Sequence, residues 1–336
     1  MTPDDARPAV DIDAIEGAAR RIAAFAVRTP LLRYPEIDGR LGLRLLVKAE
    51  TLQRIGSFKF RGACNKLMSL RETQPGINAV VAFSSGNHAQ GVAAAAAIHG
   101  FKATIVMPAD APAIKIANTR GFGATVVFYD RKTESREKIA AAIAAAEGAA
   151  LVPPYDDPAI IAGQGTAGLE IVADCGGAGL APDIVIAPCS GGGLIAGIAT
   201  AVKHRYPAAE VFAAEPAGYD DLARSLAAGE RLSNAPGPNS ICDALMSQRP
   251  GELTFPIHRR LLAGSLVVDD PAVLAAIRFA FEHLKLVVEP GGAVGLAAIL
   301  ARLQAWRGKT IVVVASGGNI DPGMMKRALD TADPLA

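Results

Sequence analysis

The chain has 336 residues, of which 34 are basic and 33 acidic, giving a formal net charge of +1, and 51% are hydrophobic. That much apolar material supports a sizeable core and excludes a disordered chain. The two signs of charge are intermixed, which leaves no electrostatic footprint for nucleic acid or a membrane surface, so a small molecule is the expected partner.

Residues Met1 to Asp13 are acidic and proline-bearing without an apolar segment, unlike a secretory signal. No run approaches the roughly 18 apolar residues of a membrane span. A helix is expected over Asp11–Val27, opening on acidic residues and stopping before Thr29-Pro30. Buried strands are then expected at Leu43–Lys48, Ala79–Phe83, Ala103–Met107, Thr125–Tyr129, Asp183–Ala187, Val211–Ala214 and Thr310–Ala315, with helical segments between them. Short Val- and Ile-rich runs alternating with helices indicate an α/β fold with parallel strands. Ala178–Pro182 and Asn234–Asn239 read as surface loops, and the last strong signal, Ile311–Asn319, lies so near the end that no appended regulatory domain is expected. Cys64, Cys175, Cys189 and Cys242 show no disulfide-like or zinc-like spacing, which suits reduced thiols in a cytoplasm.

Lys59 is the first residue with a chemical signature. It sits between Phe58 and Phe60 at the start of an expected helix. A lysine against an apolar surface has its amine pKa lowered, which suits Schiff-base chemistry, although a snorkelling helix lysine would look similar. Three loops follow expected strands and should converge at one end of an open sheet: Ser84-Ser85-Gly86-Asn87-His88, Ser190-Gly191-Gly192-Gly193-Leu194 and Ser316-Gly317-Gly318-Asn319. In the second, glycines let amide groups close on an anion at a helix N-terminus. The same stretch, Gly191 to Ala196, also fits G-x-G-x-x-A with Glu215 at the spacing of a ribose-binding acid, so a nicotinamide oxidoreductase stays open.

Taken together, Gly-Ser-Phe-Lys-Phe-Arg-Gly-Ala at 56–63, Ser-Ser-Gly-Asn-His-Ala-Gln-Gly at 84–91, Ala-Gly-Gln-Gly-Thr at 162–166 and Ser-Gly-Gly-Asn at 316–319 resemble the fold-type II pyridoxal-phosphate enzymes, in their threonine dehydratase and serine racemase branch. The resemblance runs from Lys48-Ala49-Glu50 to Asn319-Ile320-Asp321. It implies two open, mostly parallel twisted sheets flanked by helices, with the cofactor cleft between a large lobe (1–68 and 156–336) and a small one (69–155). It implies that Lys59 joins the cofactor covalently beside Phe58, that residues 190–194 hold its phosphate, that Asn87 bonds its phenolic oxygen and that Ser316 faces its ring nitrogen. The backbone of Ser84, Ser85, Gly86, Asn87 and His88 would hold the substrate carboxylate.

The reaction so implied is α,β-elimination from threonine or serine, in which the freed Lys59 amine takes the α-proton and the products are a 2-oxo acid and ammonia. Hydroxyaspartate dehydration is an alternative on the same cofactor. Ser85 matches the second proton donor of racemases, or else caps the helix near His88. Glu215, Tyr219 (through its carbonyl) and Asp221 match magnesium or calcium ligands, against a reading as ordinary surface carboxylates. Glu289, before Pro290, is a weaker candidate near the cofactor. Where many members have Asp-Gly this chain has Asp243-Ala244, and Ser190 replaces a common fourth glycine. A homodimer is implied, and intact Lys59, Asn87 and Ser316 argue against a ligand sensor without catalysis.

Overall fold

The computed structural model describes residues 8–111, 113–235 and 240–335. Among the described residues, ten strands form two sheets. The larger comprises β1 (Leu31–Arg33), β2 (Arg44–Ala49), β7 (Ile184–Pro188), β8 (Glu210–Pro216), β9 (Gly264–Val268) and β10 (Thr310–Ala315), in the order β1-β2-β10-β7-β8-β9. All of its pairings are parallel except that of β1 with β2. The smaller comprises β3 (Ala79–Phe83), β4 (Lys102–Pro108), β5 (Thr125–Tyr129) and β6 (Ala150–Leu151), in the all-parallel order β5-β4-β3-β6.

Continuous apolar strands are the mark of a sheet covered on both faces. Here the period-two alternation divides them between two cores. Leu45, Val47, Ile184, Ile186, Ile311 and Val313 pack against α11 (Asp270–Leu284) and α12 (Pro290–Leu300). Their neighbours Leu46, Val185, Ala187, Val312 and Val314 face α7 (Pro158–Gly177) and α8 (Gly193–Arg205). In the smaller sheet Val80, Ala82, Ile105 and Met107 meet α3 (Lys59–Thr73) and α4 (Asn87–His99), while Val81 and Val106 meet α6 (Arg136–Glu147). The remaining helices are α1 (Ile12–Ile22), α2 (Pro35–Leu41), α5 (Ala113–Gly121), α9 (Asp221–Ala228), α10 (Thr254–Leu261) and α13 (Pro322–Leu329).

All seven expected strands are present, three of them (β3, β5 and β10) with the expected bounds. The N-terminal helix ends at Ile22 rather than Val27, the chain turning over 23–26. Asn234, expected on a surface loop, is buried, and 236–239 lie outside the described residues. The four cysteines are free and buried. Among the described residues no helix is long and apolar enough to cross a membrane.

One close crossing places the start of α3. A Cβ on Gly163 of α7 would lie 2.7 Å from the Cα of Gly62, so the two helices touch backbone to backbone just beyond Lys59. Arg61 is anchored at the same level: its guanidinium donates to both Glu50 oxygens and to Glu170, each at 2.8 Å. The helix that carries Lys59 is thus fixed on two sides.

Candidate active site

The three loops lie at the carboxyl ends of β3, β7 and β10, where open α/β sheets bind ligands. Lys59 occupies the first turn of α3, and the Phe58 amide donates to the Ser316 carbonyl at 3.1 Å, which ties that turn to the β10 loop. The Lys59 Nζ donates to the Pro154 carbonyl at 2.6 Å and stands 5.2 Å from the Phe58 ring centroid. Burial lowers its pKa to about 8, and no carboxylate among the described residues opposes the effect.

The residue after Pro154 joins this amine to the glycine turn. The Tyr155 ring lies against Gly191 so closely that a Cβ there would meet it at 2.3 Å. Gly192 has φ +94°, and a Cβ on it would lie 2.0 Å from His258. No other residue type fits this cradle. Among the described residues, the amides of Ser190, Gly191, Gly192, Gly193 and Leu194 donate to no backbone or side-chain acceptor. Five free amides at the head of α8 are the arrangement that can seat an anion, and a phosphate would satisfy them. Ser190 Oγ donates to Ser247 Oγ at 2.6 Å and accepts from the Ser247 amide, so the hydroxyl that replaces glycine is turned toward the protein.

A second set of free amides begins α4. Ser85, Asn87 and His88 have no amide acceptor among the described residues, whereas Gly86 donates to Ser84 Oγ at 3.2 Å. The capping reading of Ser85 is therefore incorrect: the helix cap has no side-chain bond, and the local hydroxyl contact is made by Ser84. The side chain of Ser85 makes no hydrogen bond among the described residues. His88 is pushed down to about 3, first by burial and then by the Lys59 charge, although Nε2 meets the Val152 carbonyl at 2.9 Å. It is a neutral framework residue.

Asn87 joins the first loop to the third. Its Oδ1 accepts from Asn319 at 2.7 Å, and its Nδ2 donates to Glu289 Oε1 at 2.5 Å. Burial raises Glu289 to about 7, with the Asp243 charge adding to the effect. The sequence underrated Glu289 and missed Tyr155. An acid closing the apolar run Leu286–Val288 was a usable signal for the first, while nothing local marks the second.

Glu215 and Asp221 are not surface carboxylates, being 0% and 1% exposed. Glu215 accepts from the amides of Leu222 and Ala223 at 2.9 Å and from Ser265 Oγ at 2.6 Å, and so caps α9 from outside. Enclosed in this way it cannot reach a ribose, which removes the nicotinamide reading. Asp221 Oδ1 accepts from Asn234 at 2.7 Å, while Oδ2 is buried without a hydrogen-bond partner among the described residues, a donor atom that suits a hard cation. Burial raises Glu215 to about 7 and Asp221 to about 6. Tyr219 is buried beside them.

A family model described as pyridoxal-phosphate dependent enzyme matches residues 22–317. The chain is 43% identical over 304 residues to the L-threo-3-hydroxyaspartate ammonia-lyase of Pseudomonas sp, covering 90% of this chain and 93% of that protein. It is 41% identical over 328 residues to a serine racemase of Oryza sativa subsp. indica, covering 96% and 94%. Among solved structures, a threonine deaminase of T.th. superposes with a TM-score of 0.87 at 47% identity, covering 93% of this chain and 99% of that one.

Proposed function

The chain belongs to the pyridoxal-phosphate-dependent enzymes, and we propose that it is an ammonia-lyase that removes water and then ammonia from a small β-hydroxy amino acid. The observation that carries this reading is the juxtaposition of the Lys59 amine with the five free amides of 190–194 across Pro154-Tyr155. When bound, pyridoxal phosphate supplies an electron sink for negative charge at the substrate α-carbon. Residues 190–194 would seat its phosphate, Lys59 and Phe58 its reactive end, Asn87 its phenolic oxygen and Ser316 its ring nitrogen.

The protein's own contribution is positional and protonic. The free amides of Ser85, Asn87 and His88 orient the substrate carboxylate at the head of α4. A lysine whose pKa is about 8 is neutral often enough to take the α-proton and still return it to the departing hydroxyl. The lobe 69–155 would close over the site, and the ion pair of Lys115 on α5 with Asp243 already bridges the two parts. A homodimer, a cytoplasmic setting and a magnesium or calcium ion at Glu215, Asp221 and the Tyr219 carbonyl belong to the same proposal.

Threonine and serine are the substrates that the sequence favours, but 3-hydroxyaspartate is better supported. Arg136 stacks its guanidinium 5.5 Å from the centroid of Phe83, the residue before the Ser84 loop, with Tyr155 in electrostatic reach. Its partner Glu137 is an exposed neighbour, a weak competitor for a substrate's second carboxylate. Steady-state 2-oxo acid release should give the highest kcat/KM for threo-3-hydroxyaspartate, and Arg136→Met should cut that value by about tenfold or more while sparing serine. Equal losses on both substrates would return threonine and serine to first place. Racemisation is the second reading, favoured by the unbonded Ser85 hydroxyl, and D-serine formation that vanishes in Ser85→Ala would establish it.

A further inference from the structure

The glycine turn is held from behind as well as open in front. The carbonyls of Gly191 and Gly192 point away from the cleft, and each has two partners. Gly191 accepts from Thr254 Oγ1 at 2.7 Å and from the Gly251 amide at 3.2 Å. Gly192 accepts from His258 Nε2 at 3.1 Å and from the Ala196 amide at 3.0 Å. Thr254 and His258 are one turn apart on α10 and fully buried. A peptide plane that turns its carbonyl outward turns the following amide inward. The two outward carbonyls therefore set the inward direction of the amides of Gly192 and Gly193.

A carbonyl can only accept, so His258 must carry a proton on Nε2, and in the neutral ring that leaves Nδ1 bare. Burial holds it in that neutral form by pushing its pKa down to about 4. Its Nδ1 is buried without a partner among the described residues, a cost that an apolar residue would not incur. The position of α10 is itself fixed. Asp156 accepts from the amides of Glu252 and Leu253 at 2.8 and 2.9 Å, and a Cβ on Gly251 would lie 2.3 Å from that carboxylate. Tyr155, next in the chain, packs its ring against Gly191 of the same turn.

We propose that Thr254 and His258 are positioning residues for the cofactor phosphate, aiming the amides of the glycine turn by holding its carbonyls outward. Neither would touch the cofactor, since each acts through the carbonyl it holds. The inference rests on 190–194 being the phosphate seat.

The two substitutions that test it are His258→Leu, which keeps the volume, and Thr254→Val, which keeps the shape. Each leaves its carbonyl one remaining partner, so no buried acceptor is orphaned and the fold should survive. Binding of pyridoxal phosphate and of pyridoxal, which lacks the phosphate, is measured on apo-protein by the visible absorbance of the lysine-bound form. Each substitution should weaken pyridoxal phosphate by about tenfold and leave pyridoxal unchanged. His258→Gln, which retains a donor at a similar reach, should recover most of the loss.

Equal weakening of both ligands, or no weakening, would overturn the positioning role. A wild-type protein that binds the two ligands equally would overturn the phosphate seat itself. Thermal melts of the apo-variants within a few degrees of wild type separate misaimed amides from a damaged fold.

Discussion

Two clusters of buried charge, one at β2 and one at β8, lie near opposite edges of the large sheet and are built on opposite plans. Around Arg61, two cations and two carboxylates balance. Arg61 bridges Glu50 and Glu170, and Lys48 donates to Glu170 at 2.5 Å and to the Thr29 carbonyl at 2.6 Å. Around Asp221 the balance is weaker: Glu215 and Asp221 are buried together, their hydrogen-bond donors are amides and hydroxyls, Arg224 acts on Asp221 only through its charge, and among the described residues one Asp221 oxygen has no donor. Burial of a charge is tolerated when it is paired and is otherwise resisted by a shift in pKa. The Arg61 cluster is complete within the chain and locks the helix of Lys59. The Asp221 cluster is complete only with a proton or a cation.

Breaking the balanced cluster should give the largest effect. Arg61→Met leaves Glu50 and Glu170 facing Lys48 alone, and the loss of one member of a buried pair costs about 3–5 kcal/mol. Urea unfolding at neutral pH measures this directly. A loss below about 1 kcal/mol would place Arg61 among weak surface-type pairs and end the contrast.

The unbalanced cluster offers the converse test. Saturating magnesium or calcium, at about a hundredfold over Kd, should raise stability by about 2.7 kcal/mol through preferential binding to the folded state. Asp221→Asn removes a charged ligand and should abolish the increment without lowering stability in chelator. If wild-type protein gains nothing from either ion, no cation belongs at Asp221.

The difference between the two clusters was only half legible in the sequence. Lys48-Ala49-Glu50 and Arg61 stood inside the motifs, but Glu170 and Thr29 join them from 109 and 32 residues away from Arg61, and spacing along a chain carries no such partner. Lys59 and the three loops were legible as candidates because each occupies a local pattern, a lysine between two phenylalanines in the one case and a strand followed by a turn rich in glycine or serine in the others. Tyr155, Thr254 and His258 were not, since they act on Gly191 and Gly192 through tertiary contact. The strands overlooked show the same limit. β6 has two residues, β1 has three after a proline, and β9 follows an apolar helix end that blurs its start. Short edge strands are specified by their neighbours more than by their own pattern.

The contrast extends to two lysines and gives the smallest predicted effect. Burial lowers both Lys48 and Lys59, but the charges of Glu170 and Glu50 work against it at Lys48, whereas Lys59 has only a carbonyl partner and settles near 8. The neutral amine is the nucleophile, so the rate at which apo-protein captures pyridoxal phosphate should climb about tenfold per pH unit below about 8 and flatten above it. The sign follows from the lowered pKa: the proton is lost earlier than at the usual value of 10.5, and reactivity is complete earlier. Stopped-flow absorbance between about pH 6 and 10 reads the bend on either side of the shifted value. A rate still rising at the alkaline end of that range would mean that Lys59 keeps a solvated charge, and the distinction between a paired and an unpaired buried lysine would fail at the residue where it matters most.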